Sequence, residues 1–442
     1  MKTIVFKNRS QFLLLVLSLL LSCLFENSVF AASFTSGNLV VVRVGGGSAA
    51  LSSVATPVYL DEYTPSGSLV QSIEMPKAVS GSNKRFMLSG SATSEGALSL
   101  STNSKYLVFG GYDADSATAG VASTASATVN RVVARVDASG SVDITTALTD
   151  FSTGNNIRSV TSADGSSFWV SGGATGIAYA ALGATTSTQL NSTLTNVRVL
   201  EIFGGQLYFT TGSGSTYRLG TVGSGLPTTS GQTLTNLTGI PTSGSPYAYV
   251  MFDEVDSVSG QDVLYVADDA KGILKYSLVS GSWTQTGSIT ATGVRGLTGV
   301  RNNGKVTLYA STITSIFSVV DSTGYNGTLS GSLTTRATVA ANEAFRGIAF
   351  APTADTTSTP TANALASKDN SVQLSFNGNV VTVDNLPESG TAEIIDLSGR
   401  VCEGFTVQAG IKNTFELNEK QGVYVIKVLT DRTVVAKKIV VR

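Results

Sequence analysis

The chain is expected to be all-β: a six-bladed β-propeller, with a seven-bladed one as the alternative, followed by a small Ig-like β-sandwich. Three observations predict this. Apolar strands carrying an aromatic recur with Gly/Ser/Asp turns at spacings of about 40 to 60 residues, the size of one blade of four short strands. Gly, Ser and Thr are abundant while only 9 of 442 residues are Pro, which suits short strands joined by many turns. Beyond the N-terminal apolar run, no stretch of about ten residues has the 3.6-residue periodicity of an amphipathic helix. A parallel β-helix would repeat at roughly half the observed length.

Residues 1–32 read as a secretory signal peptide. Lys2, Lys7 and Arg9 precede the apolar run Phe12 to Leu21, which gives way to Glu26, Asn27 and the small pair Ala31 and Ala32, with cleavage expected after either alanine. The run falls short of the ~20 residues that span a bilayer, so no membrane span is expected after its removal. Leu20-Leu21-Ser22-Cys23 resembles a bacterial lipobox, but Leu at its second position departs from that pattern and the later small-residue site is better placed. With Cys23 removed, only Cys402 remains. No intramolecular disulfide can then form, and stability must come from apolar cores.

Residues 33–352 hold the repeat. Leu39 to Val44, Val58 to Tyr63 and Leu69 to Ile73 are three strands of a unit that lacks its first. The next units open at Ala97 to Leu100, Ile157 to Val160, Val197 to Leu200, Ala248 to Val250 and Val294 to Leu297. Their second strands are Tyr106 to Phe109, Phe168 to Val170, Leu207 to Phe209, Val263 to Val266 and Val306 to Tyr309. Third strands follow at Arg131 to Val136, Ile177 to Tyr179, Tyr217 to Leu219, Ile273 to Tyr276 and Ile316 to Val319. Phe345 to Phe350 then opens a unit whose other strands never arrive. Joined to the three N-terminal strands it completes a blade from both ends of the repeat and leaves no open edge. A short strand at Arg85 to Leu88 is what keeps the seven-bladed alternative alive.

Residues 353–369, rich in Thr, Ser, Ala and Pro, read as a linker. Residues 370–442 contain strands at Val372 to Phe376, Val380 to Val383, Ala392 to Asp396, Gly422 to Val428 and Val434 to Val441, with room for one or two more, as a small sandwich requires. Ile395-Asp396-Leu397-Ser398-Gly399-Arg400, then Gly422-Val423-Tyr424-Val425-Ile426-Lys427-Val428, then Lys437-Lys438-Ile439-Val440-Val441, resemble the type A sorting domain of the type IX secretion system. That resemblance covers roughly 70 residues and implies export to the periplasm, translocation across the outer membrane by the type IX machinery, and release or surface attachment. Cys402 departs from the pattern and is read as an apolar filler. Gly37-Asn38-Leu39-Val40-Val41, Leu60-Asp61-Glu62-Tyr63 and Tyr265-Val266-Ala267-Asp268-Asp269 resemble secreted bacterial proteins of unassigned function, and that likeness implies no activity or site.

The composition limits the chemistry. Lys and Arg (29) nearly balance Asp and Glu (30), with no basic run, which excludes nucleic acid or an anionic membrane as the main partner. The chain has no His, which removes Ser-His-Asp triads, Cys-His dyads, His-zinc sites and most general-base chemistry near neutral pH. Paired carboxylates remain available.

Three acidic groups stand out: Asp61-Glu62, Asp113 with Asp115, and Asp253-Glu254, Asp256, Asp262 and Asp268-Asp269. The last group is the candidate calcium site through Asp253, Asp256, Asp262, Asp268 and Asp269. Against it, no Asp-x-Asp-x-Asp-Gly spacing is present, and turn aspartates commonly cap backbone N–H groups. Arg158, Arg198, Arg295 and Arg346 hold equivalent positions in four units, so they are expected in one axial ring. That ring either grips carboxylates or sulfates of an acidic polysaccharide or pairs with neighbouring blades to fix their spacing. Trp169, Tyr208, Tyr265 and Tyr309 recur on second strands as interblade core. The expected function is a non-enzymatic secreted or surface module binding a glycan or protein partner. A carboxylate-dependent carbohydrate-active enzyme and an adhesive surface protein are the alternatives.

Overall fold

A computed structural model describes residues 32–354, 373–377, 380–386, 388–396, 401–417, 422–430 and 434–441. The signal peptide through Ala31, Cys23, most of the expected linker, and Leu397 to Arg400 of the sorting-domain pattern lie outside the described residues. The chain divides into two units after Ala354. No helix among the described residues is long and apolar enough to cross a membrane.

Among the described residues of the first unit every strand pairing is antiparallel, apart from one isolated parallel bridge between Gly287 and Leu329, and the one short helical turn is Val121–Ser123. In chain order it begins with β1 (Leu39–Val44), β2 (Ala55–Tyr63), β3 (Leu69–Glu74), β4 (Met87–Ser89), β5 (Ser99–Leu100), β6 (Tyr106–Tyr112), β7 (Arg131–Asp137) and β8 (Val142–Leu148). Then come β9 (Ile157–Thr161), β10 (Ser167–Gly172), β11 (Ile177–Ala181), β12 (Thr188–Asn191), β13 (Val197–Phe203), β14 (Gln206–Thr211), β15 (Leu219–Val222) and β16 (Leu234–Asn236). The unit ends with β17 (Pro246–Phe252), β18 (Val263–Asp268), β19 (Gly272–Val279), β20 (Ser282–Ile289), β21 (Gly296–Asn302), β22 (Lys305–Ser311), β23 (Ser315–Asp321), β24 (Thr334–Thr338) and β25 (Ala344–Phe350).

Strands β9 to β12, β13 to β16, β17 to β20 and β21 to β24 form separate four-stranded sheets. β25, β1, β2 and β3 pair in that order, as do β5, β6, β7 and β8. The seam is antiparallel, with Leu39 opposite Phe350 and Val41 opposite Ile348. Across it the Arg43 guanidinium meets Glu343, 300 residues away, at 2.9 Å.

β4 is the strand expected near Arg85 to Leu88, but it does not start a further sheet. It pairs with the first residues of β2 and touches β6 at Met87 opposite Tyr112, stitching two sheets together. Three expected strands start late: β5 at Ser99 rather than Ala97, β15 at Leu219 rather than Tyr217, and β21 at Gly296, leaving Val294 and Arg295 in the approach to it.

The first strands of the six sheets touch in a closed circuit: β25 with β5, β5 with β9, β9 with β13, β13 with β17, β17 with β21 and β21 with β25. The cores follow that circuit. Trp169, Leu200 and Phe209 fill the space between the third and fourth sheets, and Leu219, Tyr249 and Leu264 that between the fourth and fifth. Tyr265, Ile273 and Leu308 lie between the fifth and sixth, and Leu39, Val41, Tyr309, Ile316, Phe345 and Ile348 between the sixth and the first.

A strand clasped between sheets is covered on both faces, which is why β1 reads Leu-Val-Val-Val-Arg-Val and β25 is buried along most of its length. Outer strands face water, and β24 is Thr-Thr-Arg-Ala-Thr, a polar edge that resists pairing with another chain.

The second unit contains β26 (Gln373–Asn377), β27 (Val380–Asp384), β28 (Gly390–Asp396), β29 (Val401–Val407), β30 (Asn413–Glu416), β31 (Gly422–Thr430) and β32 (Val434–Val441). They form a three-stranded sheet, β26-β27-β30, and a four-stranded sheet, β29-β28-β31-β32. Val381, Val383, Ile394, Ile426 and Val428 share one core between them, with Cys402 partly buried at its margin.

Candidate functional site

Hydrogen bonds between sheets show which residues are equivalent around the circuit. Gly347 N–H donates to Gly96 O (2.9 Å), Ala97 N–H to Arg158 O (3.2 Å) and Ala248 N–H to Arg295 O (3.1 Å). Hydroxyls from second strands complete the pattern: Ser311 Oγ donates to Arg346 O (2.5 Å), Ser171 Oγ to Arg198 O (2.8 Å) and Thr210 Oγ1 to Tyr247 O (2.8 Å). The six entry positions are therefore Arg346, Gly96, Arg158, Arg198, Tyr247 and Arg295, in order. The four arginines expected in a ring do occupy equivalent places, and the other two positions are Gly96 and Tyr247.

Both exceptions have physical reasons. Gly96 has φ +73°, and a Cβ there would lie 2.9 Å from Leu88 Cδ1 and 3.1 Å from Arg346 Cβ, so the arginine lies where a side chain at 96 would go. Tyr247 takes Arg198 against its ring at 4.1 Å and Arg295 at 4.8 Å, holding two guanidiniums by cation–π attraction.

The arginine side chains reach forward to the next sheet. Arg158 meets Asn196 Oδ1, with Nε on Asn156 Oδ1 at 3.1 Å. Arg198 Nη1 donates to Ser245 Oγ (2.9 Å) and Pro246 O (3.1 Å). Arg346 donates to Gly90 O and Phe345 O, both at 3.0 Å, and its Nε has no partner. Arg295 differs: Asp269 takes its Nε and Nη2 at 2.8 and 3.1 Å, and Thr93 O takes Nη1 at 2.9 Å.

These bonds tie sheet to sheet, as the spacing reading expects, yet only Arg295 meets a carboxylate. Burial lowers the pKa of Arg158 and Arg198, with repulsion from the next arginine adding to it, and burial draws Arg346 down to about 10. Burial also opposes the Arg295 charge, but the bonds from Asp269 outweigh it and raise its pKa.

Two carboxyl groups outside every acidic group read from sequence lie inside the circuit of first strands, whose centre line is the axis of the first unit. Glu95, 2% exposed, accepts Tyr112 Oη–H at 2.6 Å and Ser89 N–H at 2.9 Å. Burial pushes it up to about 7 against the pull of those bonds and of Arg346 and Arg131. Glu201 on β13 accepts Ser99 Oγ–H at 2.7 Å and Thr161 Oγ1–H at a long 3.5 Å. Protein surrounds it, yet it keeps contact with solvent inside the axis, and burial raises it to about 8.

The axis contains two cavities at opposite ends of the first strands. One, about 30 Å³, is lined by Thr93, Glu95, Tyr247, Arg295 and Arg346, with room for one or two waters. The other, about 220 Å³, is lined by the later residues of the same strands. Leu98, Glu201, Leu297 and Ile348 border both.

The calcium candidates do not converge. Asp262 accepts Glu254 N–H and Val255 N–H, each at 2.8 Å. Asp268 accepts Ser245 N–H, Ala270 N–H and Lys271 N–H at 2.7 to 3.1 Å. Asp269 pairs with Arg295, and Asp253 and Asp256 are exposed. Among the described residues no three acidic, His or Cys side chains are grouped as metal ligands.

The other acidic groups are likewise engaged. Asp61 binds Arg43 and Ser72, buried Glu62 accepts Thr35 N–H, Asn38 and Gln71, and Asp113 with Asp115 pairs Arg85. Trp169, Tyr265 and Tyr309 are buried in the cores between sheets, and Tyr208 is half-buried beside one.

No protein-family model matches the chain, and neither does any curated protein. Among solved structures it is similar to PorZ, a surface component of the type IX secretion system of Porphyromonas gingivalis, at 12% identity and TM-score 0.36, over 95% of this chain and 60% of that one. It is also similar to the extracellular domain of a B. thetaiotaomicron protein assigned as a one-component system, at 11% identity and TM-score 0.37, over 93% of this chain and 59% of that one. A computationally designed protein matches at 12% identity and TM-score 0.33, over 92% and 99% of the two chains. The chain thus spans about three fifths of the first two. Likenesses this loose leave fold and function to be argued from the chain itself.

Proposed function

We propose that the first unit is a six-bladed β-propeller and a non-enzymatic binding module, whose axial arginines hold an anionic group of a glycan or protein partner on the cell surface or in the secreted state. The observation that carries this is charge: Arg158, Arg198 and Arg346 meet carbonyls, amides and hydroxyls but no carboxylate, although burial penalises each charge. A carboxylate or sulfate would neutralise them through paired N–H donors. Arg295 and Arg346 line the cavity of about 30 Å³ at this end, where an incoming anionic oxygen would displace the one or two waters it can hold and leave the rest of the ligand outside.

The closed circuit of first strands, with one core running through the first three sheets and a separate core between each later pair and at the seam, supports the propeller reading. The second unit, two antiparallel sheets over one core, is read as the Ig-like type A sorting domain that the type IX machinery takes across the outer membrane. A carboxylate-dependent hydrolase needs one acid and one ionised base or nucleophile. Glu95 and Glu201 border the same cavity but are already engaged by Tyr112, Ser89 and Ser99, and Glu95→Gln with Glu201→Gln separates this second reading from binding, since a hydrolase would lose all turnover.

The test is a glycan array of acidic, sulfated and neutral oligosaccharides probed with the mature chain and with Arg158→Ala, Arg198→Ala and Arg346→Ala. Acidic or sulfated sugars should be retained by the parent and lost by the variants. Equal binding by folded variants would remove the arginines as a site.

A further inference from the structure

At the end of the axis away from the arginines lies the larger cavity, about 220 Å³ and open to solvent. Its walls come from β13, β17, β21 and β25 and from the segment around β5. Phe203, Phe252 and Phe350, each half-buried, line it with Leu100, Val250 and Met251. Hydroxyls of Ser99, Thr102 and Thr298 are the uncharged polar groups. Glu201 and Tyr249 are the ionisable side chains in its lining, and no Lys or Arg is among them. The Tyr249 hydroxyl lies against the Glu201 backbone without making a standard hydrogen bond.

Glu201 is the unusual member. A carboxyl enclosed by protein normally has a cation beside it, and this one has none. One oxygen takes a firm bond from Ser99, while the other has only the long contact with Thr161. A carboxyl with a spare oxygen, in an aromatic and aliphatic cavity large enough for several heavy atoms, is complementary to a cation that carries its own apolar surface. Carboxylates attract such cations by charge and aromatic rings by their quadrupole. A hydrated metal ion would find one carboxylate and an apolar wall, too few oxygens for calcium or magnesium.

We propose that this cavity is a binding site for an organic ammonium ion, with Glu201 as counter-charge and Phe203, Phe252 and Phe350 around the apolar substituents. No anion at the arginine end is needed for this.

The titration of Glu201 supplies a signature. The groups facing it are Ser99 from β5, Thr161 from β9 and Tyr249 from β17, with Tyr208 of β14 directly opposite Glu201 in the strand pairing. Past the narrow point the adjoining cavity presents Arg295, Arg346 and Glu95. With Glu201 at about 8, its ionised fraction rises about tenfold between pH 7 and pH 9. Tyr249, held far above its ordinary value by burial, stays neutral throughout.

The experiment is calorimetric titration of the mature full-length chain with choline and with its uncharged isostere 3,3-dimethylbutan-1-ol, at pH 7 and pH 9. Choline should bind, roughly tenfold tighter at the higher pH, and the alcohol should bind more weakly with no pH response. Glu201→Gln should abolish both the preference for charge and its pH dependence. Equal binding of choline and the alcohol, unchanged choline binding in Glu201→Gln, or no heat at millimolar choline would each overturn the proposal. The comparison of the two probes at two pH values needs no variant, so it decides the matter even if Glu201→Gln does not fold.

Discussion

Replacing Phe345 by Ala tests whether the two ends of the first unit share one core. Phe345 is 1% exposed, meets the Tyr63 ring edge-on at 6.1 Å, and lies in the cluster with Leu39, Val41, Tyr309, Ile316 and Ile348. Truncation deletes a whole ring from the space between the first and last sheets, which costs about 3–5 kcal/mol. At roughly 2–4 °C per kcal/mol for a large domain, the melting midpoint of the first unit should fall by roughly 6–20 °C. Val41→Ala removes two methyl groups from the same cluster, at about 2 kcal/mol. Because the two residues share neighbours, the double variant should depart from additivity by roughly 0.5–3 kcal/mol. Guanidinium unfolding followed by near-ultraviolet circular dichroism reads both quantities, and Ile394→Ala in the second unit serves as control. A loss below about 1 kcal/mol for Phe345→Ala, or strict additivity with Val41→Ala, would refute a shared core at the seam.

Four further outcomes follow from the same geometry. Lys275 and Asp321 form a 2.7 Å ion pair at 0% and 1% side-chain exposure, and Tyr265 donates to the same carboxylate at 2.6 Å. Lys275→Met leaves that charge buried without its cation and should cost about 3–5 kcal/mol, read by denaturant unfolding. Glu95 and Glu201 bind protons when folded that an ordinary glutamate near 4.5 has released. Their contribution is full below pH 4.5 and is lost as pH rises through about 7 and 8, so Glu95→Gln should flatten the decline in melting temperature over that range. Asp262→Ala frees two backbone N–H groups and should destabilise by about 1–3 kcal/mol, while calcium added to the parent should leave its melting temperature unchanged. Truncation after Ser367 should leave the first unit's unfolding transition in place and, in a host with type IX secretion, keep the protein in the periplasm.

How much of this was legible beforehand depends on what repetition can reveal. Inner strands are covered on both faces, so their runs of Val, Leu, Ile and aromatics stand out, and the missing partners of Phe345 to Phe350 could be inferred from the three orphan strands after Leu39. The arginines could be aligned because each precedes such a run by the same step. Tyr247 and Gly96 escaped notice since an alignment of like residues passes over the places where a different residue satisfies the same geometry. Glu201 left a readable trace, an isolated acid inside Val199-Leu200-Glu201-Ile202-Phe203, but Glu95 lies in an irregular approach segment with no periodicity to mark it. The calcium candidates cluster in sequence because they occupy consecutive turns. Whether their oxygens face a common point or the nearest backbone N–H is settled by loop conformation, which spacing does not encode.

The antiparallel pairing of Leu39–Val44 with Ala344–Phe350 also sets an order of events in time. Until Phe350 has been made, the strand at Leu39 has no inner neighbour and the face carrying Leu39 and Val41 stays uncovered. Completion of the first unit therefore waits for nearly its last residue, and contacts that link chain ends are the slow ones to form. The four sheets made of consecutive strands can form as they are synthesised, and only the closing seam waits for the final strand.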